Sequence, residues 1–168
     1  MKRKNYKFRS ASARTAYHEA GHAVIALCQG LKVYSVTVLP DRETGLPGTH
    51  TALHGHLSDS DSDSDRLEKA VRALLAGQLA QRQFDPSFSH ALASAELDSQ
   101  IAMGFIVALS GSSKNKQEAC FMRLCVETEA LIENHWPQIE AVAEALIEHG
   151  RLEGFEIQKI LIASNTQR

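Results

Sequence analysis

The chain has 168 residues, 43% of them hydrophobic, and a formal net charge of -2. That is enough apolar material for one compact domain and too much for a disordered chain. The near-neutral balance excludes nucleic acid as an obligatory partner, because binding it needs a concentrated basic surface. No apolar run approaches the ~20 residues that cross a bilayer, and the longest, Ile101 to Leu109, is interrupted by Gly104.

Residues 1–10 carry Lys2, Arg3, Lys4, Lys7 and Arg9 with no apolar segment behind them. They read as a solvated basic arm rather than a signal peptide, and residues 11–168 read as the folded domain. The first helix is expected from about Ser12 to Gln29, capped by Ser10 or Ser12 and ended by Gly30. A β-branched strand follows, Val33 to Leu39, closed by Pro40. Residues 41–65 lack periodicity. Their Asp/Ser alternation from Asp59 to Asp65 lacks the glycine turn and closing glutamate of a calcium loop, and reads as an acidic loop.

Ser64 or Asp65 then caps a helix to about Phe84, with Leu67, Val71, Leu74, Leu75 and Leu79 on its apolar side and Asp85-Pro86 as its stop. Further helices are expected over Leu92 to Leu109, Lys114 to Asn134 and Pro137 to His149, with a last short one after Gly154 ending near Ile162. The expected fold is mainly α, with a small β element after the first helix. Val142, Leu146, Ile157, Ile160, Trp136, Met103, Phe105 and Phe121 read as core. Cys28, Cys120 and Cys125 lack a CxxC spacing and read as buried thiols of a reducing compartment, so the expected location is the cytoplasm.

The first helix carries His18-Glu19-Ala20-Gly21-His22, an HExxH pattern. Four residues advance a helix by about 40° beyond one turn, so both imidazoles leave the same face. Ala16, Ala20, Ala23, Val24 and Leu27 form an apolar stripe roughly opposite, so one face is expected to pack and the other to bind. Two neutral imidazoles and a carboxylate suit zinc with one position left for water. The ion brings that water's pKa to about 7, and Glu19 is placed to take its proton and attack a peptide carbonyl with the resulting hydroxide. The small residues Ala20, Gly21 and Ala23 let other backbone approach closely. Residue types alone leave the third ligand open among Asp98, Glu96, His50, His54, His56 and His90.

From Thr15 to Ile25 (TAYHEAGHAVI) the sequence resembles the active-site helix of the peptidase domain of FtsH-type ATP-dependent zinc metalloproteases. The resemblance covers roughly residues 11 to 163. Val36 to Pro40 is similar to the following strand, Leu74 to Ala80 to the family's LLGGRAA helix, and Ala95-Glu96-Leu97-Asp98 to its A-x-N-D segment. The segments Ala130 to Glu133, Glu140 to Leu146 and Leu152 to Gly154 are similar to its C-terminal helices. The resemblance implies that Asp98 is the third zinc ligand beside His18 and His22, with Glu19 as the catalytic base. It implies a metalloendopeptidase, and a ring-forming homo-oligomer.

Ser94, Leu97 and Gln81 depart from the family's glycine, asparagine and acidic residue, which bears on specificity and on support of the ligands. No GxxxxGK[ST] phosphate loop occurs in these residues, so no ATP site is expected among them. The expected substrate is therefore a polypeptide that is already unfolded or loosely structured, or is delivered by a separate AAA+ ATPase, because opening a folded domain takes ~5–15 kcal/mol. The strand Val33 to Leu39 is expected to pair with the substrate backbone. The alternative function is a peptidase-like binding module partnering an ATPase.

Overall fold

The computed structural model describes residues 11–40, 48–52, 63–87 and 93–165. It is mainly helical, with six helices and a small antiparallel sheet. In chain order the elements are α1 (Ala11–Cys28), β1 (Lys32–Thr37), β2 (Gly48–Ala52), α2 (Asp63–Phe84), α3 (Ala93–Ser110), α4 (Lys114–Asn134), α5 (Trp136–His149), β3 (Arg151–Glu153) and α6 (Gly154–Asn165).

α1 is the central element. Its alanine-rich sequence suits a helix and lets neighbours come close on several sides, with Ala16, Ala20, Ala23, Val24, Ile25 and Ala26 fully buried. Gly30 ends it at φ 80, a left-handed geometry open to glycine. The Gly30 N–H donates to Leu27 O at 3.0 Å and the Leu31 N–H to Ala26 O at 2.9 Å. These are the paired bonds of a Schellman stop, and buried Leu31 is its apolar anchor. The alanine stripe packs as expected, but the face that carries the histidines is enclosed too, with His18 and Glu19 as buried as the stripe.

β1 is the middle strand of a sheet ordered β2-β1-β3. Val36 faces Thr49 on one side and Leu152 on the other, with a register shift between Val33 and Ser35. Both edges of β1 are thus occupied, which overturns its expected role as the strand that receives a substrate. β2 and β3 were not anticipated. β2 is short and falls in a segment without alternation, and β3 follows directly on the Gly150 cap of α5, whose N–H bonds Leu146 O at 2.8 Å.

One core cluster joins α1, β1, β3, α5, α6 and the end of α4 with one side of α2, and includes Ile132, Ile139, Val142, Leu146 and Ile157. Tyr17 stacks on Phe84, with ring centroids 3.9 Å apart, and on Trp136 at its margin. A second cluster, Val71, Leu75, Ala102, Ile106 and Leu124, binds α3 and α4 to the other side of α2, with Phe105 and Phe121 packed against it. Met103 is on the exposed side of α3 rather than in the core. The cysteines are free thiols, but Cys28 is exposed and the other two half-buried, so the buried-thiol reading fails. Cys28 lies past Ala26, where the buried stretch of α1 ends.

Asp63 and Asp65 belong to the first turn of α2 rather than to a loop, where their charge complements the helix N-terminus. The basic arm, the rest of the acidic run, and His54, His56 and His90 lie outside the described residues. Among the described residues no helix is long and apolar enough to cross a membrane.

Candidate metal centre

Three elements bring the site together. α1 supplies His18 and His22, one turn apart, and α3 supplies Asp98 from its first turns. α2 lies against His22. His18 Nε2 and His22 Nε2 are 3.0 Å apart. Asp98 Oδ2 lies 3.3 Å from the first and 3.1 Å from the second. The imidazoles meet edge to face, with centroids 4.6 Å apart and planes at 87°. Among the described residues this is the group of His, Cys, Asp or Glu side chains whose donor atoms converge closely enough to hold a metal. Of the other candidate third ligands, Glu96 is exposed and His50 lies on β2.

These spacings fit a metal. Donors bonded at ~2.0–2.1 Å in a tetrahedron sit about 3.3 Å from one another, close to the three distances here. The donor chemistry fits as well. His22 Nδ1 is 2.7 Å from the Ala73 carbonyl oxygen. A carbonyl only accepts, so Nδ1 carries a proton, and Nε2 is the ring nitrogen that faces His18 and Asp98 and would ligate once it gives up its own proton. A backbone oxygen fixing the tautomer from behind is the usual support of a ligating histidine.

The electrostatics favour positive charge in the same place. Burial works against a charged His22, but Asp98 and Glu19 outweigh it and push its pKa up to about 9. Burial would raise the Asp98 carboxyl, yet hydrogen bonds from His18 and His22 hold it well below the usual carboxylate range. Glu19 is 1% exposed and close enough for its charge to act on His22. The His18 side chain is 0% exposed and that of Asp98 22%, so among the described residues solvent reaches the group at Asp98 rather than at His18. Leu97 and Ile101, near Asp98 in the sequence of α3, are exposed apolar side chains.

Two supports of the site were not singled out from sequence. One is the Ala73 carbonyl, which no residue type announces. The other is Gly77, one turn further along α2, whose position in a helix interior costs about 1 kcal/mol relative to alanine and so calls for a reason. Gln81 is buried on α2, with its Oε1 lacking a hydrogen-bond partner among the described residues.

No protein-family model matches this sequence, and no curated protein matches it significantly.

Proposed function

We propose that the chain is a zinc metalloendopeptidase acting on unfolded or loosely structured polypeptide, as the resemblance to FtsH-type peptidase domains implies. The observation that carries this reading is the convergence of His18 Nε2, His22 Nε2 and Asp98 Oδ2 within 3.3 Å of one another, with Glu19 buried beside them. Zinc bound there would polarise a peptide carbonyl and acidify a water at the open side. His18, His22 and Asp98 would hold it.

Glu19 acts as the base. It takes a proton from the water whose oxygen bonds to the carbonyl carbon, and returns it to the amine as the C–N bond breaks. The buried surroundings of Glu19 keep bulk water from competing for that proton. With both edges of β1 paired, a substrate strand would have to join the outer edge of β2 or of β3, neither of which pairs with a further strand among the described residues. A separate AAA+ ATPase as the deliverer of substrate, cytoplasmic location and homo-oligomerisation belong to the same proposal.

The deciding experiment measures zinc content and casein cleavage in the wild type and in Glu19→Gln. Retained zinc with cleavage lost only in the variant supports the mechanism, and equal cleavage by both refutes it. Zinc without cleavage in the wild type would favour the peptidase-like binding module. The 22% exposure of Asp98 weighs against that alternative, which would suit an enclosed ion.

A further inference from the structure

The geometry points to Gly77 as a positioning residue: its missing side chain is the seat on which the His22 imidazole rests in ligand orientation. This rests on the metal-site reading above. A Cβ built at Gly77 would fall 2.3 Å from His22 Nε2, 2.5 Å from Cε1 and 2.8 Å from Cδ2. The ring therefore lies flat against the bare backbone of α2. Gly77 and Ala73 are one helical turn apart, and the Ala73 carbonyl holds the opposite ring nitrogen. One turn of α2 thus fixes both the tautomer and the plane of His22.

A Cβ at position 77 forces something to move. The α2 backbone is poorly able to, because it is pressed against α1: a Cβ at Gly21 would lie 2.6 Å from Ala76 O. The struck atoms of His22 are the far end of a side chain with rotatable bonds, so the imidazole is the group that yields. Turned away, it loses the Ala73 hydrogen bond and no longer aims Nε2 at His18 and Asp98. The glycine is thereby explained by what lies over it, whereas Gly104 in α3 has nothing within 4 Å of its Cβ position and serves as the matched control.

The test compares Gly77→Ala and Gly104→Ala with the wild type, using Zn2+ affinity from chelator competition and the absorption spectrum of bound Co2+. Gly77→Ala should weaken Zn2+ binding about 10–100-fold, as loss of a ligand's support does, and alter the Co2+ spectrum. Gly104→Ala should do neither. Affinity within about twofold of wild type for Gly77→Ala would overturn the assignment, since a seat that holds the ring cannot be filled at no loss.

A double-mutant cycle on thermal stability of the metal-free protein, combining Gly77→Ala with His22→Ala, reads the same contact without any metal. The destabilisation by Gly77→Ala should vanish once the imidazole is gone, even where the single variant folds poorly. Equal destabilisation in both backgrounds would mean that the methyl group strikes the helix packing and not the ring. A wild type that takes up no Zn2+ would refute the metallopeptidase reading, while the cycle would still decide the role of Gly77.

Discussion

Gly21→Ala tests how tightly α1 and α2 are joined. The added Cβ would sit 2.7 Å from Ala80 Cβ, 2.6 Å from Ala76 O and 3.1 Å from Ala76 C. Carbon atoms settle at ~3.5–4.0 Å, so the helices must part by most of an ångström. The struck atoms are backbone and a rotamerless methyl, and no side-chain rotation relieves them. Because backbone is struck, the overpacking cost falls in the upper part of the usual ~1–3 kcal/mol, about 2–3 kcal/mol, while alanine in a helix interior returns about 1 kcal/mol, leaving a net loss near 1–2 kcal/mol. For a chain of this size that lowers Tm by roughly 2–8 °C. Urea unfolding followed by circular dichroism, with a thermal melt alongside, measures it. A Gly21→Ala protein as stable as wild type, or more so, would refute the close approach of the two helices.

Further outcomes follow from the charge network, the site opening and the ion. Arg123 grips Glu68 through contacts of 2.6 and 3.3 Å, linking α2 to α4, and its hydrogen bond holds the Glu68 carboxyl below its ordinary 4.5. The unfolded chain therefore binds the extra proton first, so this stabilisation is present above about pH 4.5 and is lost as pH falls through the lower folded value. Glu68→Gln should remove that part of the acid sensitivity and cost no more than about 1 kcal/mol at neutral pH, given the half-exposed partner; an unchanged stability curve across pH 3–5 would count against it. Leu97→Ser with Ile101→Ser should lower kcat/KM about tenfold for peptides with apolar side chains, less for polar ones, and leave zinc affinity unchanged. Zn2+ at ~1,000 times its Kd should add about 4 kcal/mol and raise Tm by roughly 8–16 °C. Excess chelator should reverse the gain, and the Asp98→Ala protein should show little of it.

The long helices were legible because their signals are local. Gly30 and Gly150 mark stops that glycine can make, Pro137 marks a start, and the expected limits of α4 coincide with those observed. HExxH was legible for a related reason: ligand spacing within one helix is set by helical pitch alone. Asp98 is 80 positions from His18, and no local rule links them, so it came from the resemblance. β3 has only Arg151 to Glu153 and depends on pairing with β1, which no three-residue pattern encodes. The burial of His18 and Glu19 was missed because amphipathicity describes one helix, and the elements packed around α1 decide what its second face meets.

Asp98 has a structural consequence of its own. α3 packs chiefly on α2 and α4, and its outer surface is greasy, with Leu97, Ile101, Met103 and Val107 exposed. An ion shared by Asp98 and the α1 histidines would act as a removable staple across the intervening chain, closing a long loop much as a cross-link does. Stripping that staple would loosen the most apolar exposed helix of the molecule. Metal supply would then govern solubility as well as the proposed catalysis, with the demetallated chain the form prone to stick to itself.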